Sequence, residues 1–171
     1  MKAILERFGR LDDLLGMLED ATGITLVVVL ALVVNLQIFS RYLFHAPFIW
    51  PEEVARLLMI WIAFVGSAAV TRRGADMAVD TFVLLMPEGL QRALAIIKDL
   101  VLAALFIFIA LQGKALADAV SNMPLIATGW PTSLLAWPLV VGGVLTAIHS
   151  LIRCAGVLAG NEVSQEIKTL T

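Results

Sequence analysis

The sequence predicts an all-α integral membrane protein, with four transmembrane helices, an amphipathic helix ahead of the first and another in mid-chain. Three observations predict it. Of 171 residues, 60% are hydrophobic and 15% charged, whereas a soluble domain is about half apolar and about a quarter charged. The apolar excess falls into four long runs, and about 20 apolar residues are what a helix needs to cross the hydrocarbon core. The segments between the runs keep helical periodicity in two places.

The first of those places is the N-terminus. Ile4, Phe8, Leu11, Leu15 and Leu18 repeat at helical spacing, among Lys2, Glu6, Arg7, Arg10, Asp12, Asp13, Glu19 and Asp20. A cleaved signal peptide would put its apolar core directly after a basic start, so residues 1–20 are expected to form an interfacial amphipathic helix. A helix packed on a partner or on the protein itself is the other reading.

The spans follow at about residues 24–44, 54–71, 93–113 and 131–152. The second is short, and Pro51, Glu52 and Glu53 are expected as its first turn. Proline suits the first helical position, and acids suit the positive end of the helix dipole. The third is expected to continue towards Ala119. Trp50, Trp61, Trp130 and Trp137 are candidate interfacial anchors. Between the second and third spans, Val79, Phe82, Val83 and Met86 repeat at helical spacing before Pro87, with Asp76 and Asp80 on the other side. A cytoplasmic amphipathic segment at 75–86 is expected there, or else a loop folded onto the bundle. A tail at 160–171 closes a single membrane domain, residues 1–171.

Orientation follows from lysines and arginines near the span ends. Lys2, Arg7, Arg10, Arg72, Arg73, Arg92, Arg153 and Lys168 fall on one side, Arg41 and Lys114 on the other. Both chain termini are therefore expected in the cytoplasm.

Charge where the first span ends and the second begins is the most unusual local feature. Arg41 precedes the boundary, and Glu52, Glu53 and Arg56 follow it. On a helix, Arg56 reaches either glutamate at i+4 or i+3 spacing. One reading is an ion relay or a substrate site. The other is a neutral clamp that fixes the first two helices and holds a partner or lipid headgroup. Position favours the clamp, because transport sites lie near the midplane and these charges already balance. Asn35, Gln37 and Ser40 interrupt the first span and read as a buried polar seam facing protein. Lys98 lies within two turns of a span end, where snorkelling explains it.

Several function classes are excluded or disfavoured. A net charge of −2 without a basic stripe argues against nucleic acid. A lone cysteine, Cys154, permits no internal disulfide or cysteine metal cluster and reads as a core residue. His45 and His149 are predicted near opposite ends of their spans, too far apart to ligate one haem iron. No hydrolase elbow, phosphate loop or zinc-protease motif is present. No catalytic residue, cofactor or metal is expected.

The stretch Arg41-Tyr42-x-Phe44, Trp50-x-Glu52-Glu53-x-x-Arg56, Trp61-x-x-Phe64-x-Gly66, Arg72-Arg73-Gly74-Ala75 and Val79-Asp80, with a break at Met86-Pro87, resembles the small permease subunit of tripartite ATP-independent periplasmic (TRAP) transporters, the DctQ family. Pro124 to Gly142 resembles that family's approach into the fourth helix. The likeness covers about Phe39 to Arg153. At Asp76 the family often has histidine, so no role is carried over to that position. The resemblance implies a four-span subunit with cytoplasmic termini in a bacterial inner membrane. It implies no substrate site and two partners, a large membrane subunit that carries the solute and a periplasmic substrate-binding protein. The solute would be an organic acid such as sialic acid or a C4-dicarboxylate, driven by sodium or another cation. Gly66 to Ala69 and Gly142-Gly143 permit close backbone approach, so either is a candidate face for the large subunit. The rival readings are a self-sufficient four-helix exporter, which wants a membrane-embedded acid that the first span lacks, and a haem or quinone anchor of an oxidoreductase.

Overall fold

The computed structural model describes residues 2–43, 48–73 and 87–158, which are mainly helical. Four helices are long and apolar enough to cross a membrane. They are α1 (Lys2–Leu43), α2 (Trp50–Arg72), α3 (Glu88–Ala119) and α4 (Trp137–Leu158), with a short 3-10 turn at Thr132–Leu135. The amphipathic segment expected at 75–86, the tail at 160–171 and His45 lie outside the described residues.

Each boundary has a local cause. In α2, Pro51 sits at the start and Glu52 and Glu53 occupy the first turn, where neither the missing N–H nor the negative charges disturb the helix. Arg72 lies in its last turn, and the Arg73 N–H closes it on Ala69 O. Pro87, at φ −58° and ψ 144°, is the non-helical residue from which α3 starts. That helix runs through to Ala119. Pro131 likewise precedes the 3-10 turn, so the fourth apolar run divides into a turn and a helix that begins at Trp137.

The largest departure from the expected elements is in α1. No proline or turn separates residues 1–20 from the span, and the backbone continues as one helix of 42 residues. At 1.5 Å per residue it is about 63 Å long, about twice the hydrocarbon thickness. Its membrane-crossing part is Gly16–Leu43.

The helices pack in a row rather than as a closed bundle. α1 lies against α2, α2 against α4, and α4 against α3. The close approaches are made by glycine. A Cβ on Gly142 would lie 2.5 Å from Phe64 Cβ and 2.8 Å from Phe64 O in α2. One on Gly143 would lie 2.9 Å from Phe106 O in α3. The adjacent glycines thus seat α4 between its two neighbours and are buried inside the chain's own packing. Gly66, by contrast, has nothing near its Cβ position.

Between α3 and α4 the chain makes a tight hairpin. Pro124 and Pro131 bridge, the Leu125 N–H donates to Trp130 O at 2.7 Å, and the Thr132 N–H donates to Met123 O at 2.8 Å. Gly129 closes the turn at φ +71°, a conformation that a Cβ disfavours. The bundle therefore has a hairpin end and a terminal end, the latter holding Gly16, Arg72, Asp99 and Arg153.

Candidate functional site

At the hairpin end, the first turn of α2 sends its two glutamates in different directions. Successive helical residues turn by about 100°, so Glu52 and Glu53 cannot share one face. Glu52 meets Arg56 at 3.5 Å, with both side chains more than half exposed. Glu53 turns inward to the hairpin. Its carboxylate accepts the N–H of Ala127, the N–H of Thr128 and the hydroxyl of Thr128, each at 2.9 Å. These are charge-assisted bonds to backbone, and they fasten the hairpin to α2.

The expected four-residue arrangement is therefore divided. Arg56 pairs with Glu52, and among the described residues Arg41 makes no ion pair with Glu52 or Glu53. Arg41 stands exposed in the last turn of α1. The sequence reading missed the Glu53 contact because its partners are backbone groups 74 and 75 residues away.

Asn35, Gln37 and Ser40 do not form one buried seam. Ser40 is buried and its hydroxyl donates to Gln37 O at 2.9 Å. Gln37 is half-buried, and Asn35 is exposed, its amide donating to Ala31 O at 2.7 Å. The 100° step separates Asn35 from the other two. Of the tryptophans, Trp50, Trp130 and Trp137 stand exposed at the hairpin end. Trp61 lies eleven residues into α2, about 16 Å from its start, and so sits midway along the helix rather than at its rim.

The terminal end holds a polar network that the sequence reading did not assemble. Glu19 and Asp20 of α1 face Arg72 and Arg73 of α2. Arg72 reaches Asp20 at 3.0 Å and Glu19 at 3.8 Å, and Arg73 reaches Asp20 at 2.7 Å. Gly16 leaves room for this, because a Cβ there would collide with the Arg72 guanidinium. Glu19 also accepts from His149 of α4 at 2.8 Å, and both side chains are buried. One helical turn on, Arg153 donates to Thr71 O at 2.9 Å and lies 3.6 Å from the buried Asp99 of α3. All four helices contribute.

A signal for this network was present. Up-and-down connectivity places Glu19-Asp20 and Arg72-Arg73 at the same end with opposite charge. Counting those arginines only for orientation hid the pairing. His149, one of the two candidate haem ligands, has an internal partner instead. Among the described residues no group of three histidine, cysteine, aspartate or glutamate side chains could hold a metal ion. Cys154 is free and buried.

One network joins the helices to one another, and the other fastens the hairpin to α2. Residues 30–160 match the family described as tripartite ATP-independent periplasmic transporters, DctQ component. The chain belongs to the DctQ family. It resembles the sialic acid TRAP transporter small permease protein SiaQ of Vibrio cholerae, 27% identical over 141 residues, which cover 82% of each chain. It also resembles the sialic acid TRAP transporter permease protein SiaT of Haemophilus influenzae, 32% identical over 113 residues, which cover 66% of this chain but 18% of that much longer relative. A TRAP transporter small permease protein of Haemophilus influenzae is 24% identical over 130 residues, covering 74% of this chain and 79% of the relative. This DctQ-family chain is a TRAP small permease, and its four apolar helices make it a multi-pass protein of the inner membrane.

Proposed function

We propose that this chain is a non-catalytic scaffold subunit. It extends the framework of a large TRAP membrane subunit that moves the solute, and it helps dock a periplasmic substrate-binding protein. The observation that carries this reading is the packing order of the helices. A row has two broad apolar faces, whereas a self-contained transporter needs an enclosed pathway. The buried acids of the row each face a basic side chain, Glu19 facing His149 and Arg72, and Asp99 facing Arg153. As a member of a transporter family, the chain reads as a transport component rather than an enzyme.

In this reading the termini and the Glu19–His149 network face the cytoplasm, as the eight lysines and arginines on that side require. The hairpin and Glu53 face the periplasm. Uptake is driven by a cation gradient, with sodium as the first ion to test. The solute is an organic acid. The SiaQ and SiaT relatives make sialic acid the first candidate and C4-dicarboxylates the second.

Affinity capture of the tagged chain from native membranes in mild detergent tests the reading. A co-purifying large permease supports it. A lone homo-oligomer or a redox enzyme with a Soret band overturns it. A second test is calorimetry on the purified chain alone, where no binding of sialic acid is expected.

A further inference from the structure

Asn35 is the one amide-bearing side chain that α1 turns fully outward from the row within its apolar span, among the described residues. The packed face of α1 runs through Leu30, Val33, Gln37 and Ser40, which are half-buried or buried against α2. Asn35 is on the opposite side of the helix. Around it, at one-turn and two-turn spacing, stand Val28, Leu32, Phe39 and Tyr42, and Leu32, Phe39 and Tyr42 are 65%, 63% and 76% exposed. Asn35 lies eight residues before Leu43, about 12 Å from the end of the helix and well inside the apolar span.

Lipid does not account for this residue. Its amide nitrogen makes one bond, to Ala31 O. The residue is exposed on the outer side of the row, and hydrocarbon offers its second N–H and its carbonyl oxygen nothing. Asparagine in a span is characteristically a hydrogen-bonding contact between helices. The stripe is therefore polar at its centre and apolar along its length, which fits a neighbouring helix better than acyl chains.

We propose that the Val28–Tyr42 stripe of α1, centred on Asn35, is the seam against the large permease subunit. A transmembrane helix of that subunit would present a hydrogen-bonding group at the depth of Asn35. The proposal rests on the scaffold reading above. It chooses the large subunit over a second copy of this chain because the SiaT relative carries the matching region as 18% of one long permease polypeptide. It also moves the interface away from Gly142 and Gly143, which are filled from within.

Photo-crosslinking in membranes tests it, with this chain co-expressed with the large permease encoded beside it. p-Benzoylphenylalanine replaces Leu32 or Phe39 on the stripe, and Leu105 or Leu111 on the exposed side of α3 as comparators. Adducts with the large permease are expected from residues 32 and 39 and not from 105 and 111. Asn35→Leu should lower recovery of the permease roughly five- to tenfold, what one hydrogen bond between helices contributes in lipid, with normal yield of the chain itself. Permease adducts from 105 and 111 alone would overturn the seam and leave the scaffold reading standing. Adducts of twice this chain's mass from 32 and 39 would assign the stripe to self-association instead. Absence of any co-purifying permease, even with the unaltered chain, would remove both the seam and the scaffold reading.

Discussion

The two ends of the helical row are held by different kinds of contact. At the terminal end, charged side chains from all four helices meet one another, and Glu19, Asp99 and His149 are buried there. At the hairpin end, one carboxylate holds backbone N–H groups of a turn, and the remaining ion pair, Glu52 with Arg56, lies in the open. The first end fixes helices relative to one another. The second fixes a loop on a helix. The terminal end should therefore govern whether the row forms, and the hairpin end should govern the shape of the surface presented there.

The largest effect is expected from the terminal end. Removing one member of a buried hydrogen-bonded pair leaves the other short of a partner, at a cost of about 1–3 kcal/mol and more where that group is charged. His149→Leu should therefore lower the detergent thermal midpoint sharply, read by scanning fluorimetry on the purified chain. Glu19→Leu with His149→Leu together should recover part of the loss. An unchanged midpoint in His149→Leu would mean that the helix row is held without this contact.

The next effect lies between the ends, where packing replaces charge. Gly142→Ala forces a methyl into Phe64, and overpacking of this kind costs about 1–3 kcal/mol. Gly66→Ala meets open space and should leave the midpoint unchanged or slightly raised, since alanine is the better helix former. Equal losses from the two would show that α2 and α4 do not approach at Gly142.

Much of the fold could be read from the sequence because it is written in local pattern. The four apolar runs become four helices, and the third does continue to Ala119. Contacts between distant residues were not legible. Glu19 and His149 are 130 residues apart, and Arg72 and Asp20 are 52 apart. The same locality made Glu53 look like a partner for Arg56, when its direction was set by a hairpin folded back from far along the chain. The stripe of Ile4, Phe8, Leu11, Leu15 and Leu18 has one period whether a helix lies flat or runs on, so it could not show that α1 is continuous. The row order was also hidden, because apolar surface facing lipid and apolar surface facing a neighbour have the same composition.

A smaller and more local effect is expected at Glu53. Glu53→Gln keeps the size of the side chain but replaces one accepting oxygen with an NH2 group, which meets the N–H of either Ala127 or Thr128. The hairpin from Met123 to Thr132 should then exchange its amides faster by hydrogen–deuterium exchange mass spectrometry. The thermal midpoint should move much less than in His149→Leu, because no helix–helix contact is lost. If Glu53→Gln slowed assembly with a large permease while the midpoint held, the hairpin would be part of the contact surface as well as a fastening.

The smallest effect is expected at Glu52 and Arg56, and it sharpens the contrast most cleanly. Exposed pairs at i,i+4 are worth about 0.3–0.5 kcal/mol, because water already solvates both groups and the long side chains lose freedom on pairing. A double-mutant cycle with Glu52→Gln and Arg56→Gln should give a coupling within that range, falling further as salt is raised. In contrast, a cycle on Glu19 and His149 should give a larger coupling that salt changes little, because both groups are out of water's reach. A coupling at Glu52–Arg56 as large as the buried one would mean that the pair is covered by something outside this chain. The measurement should then be repeated on the assembled complex, where a rise in coupling would place Arg56 under a partner.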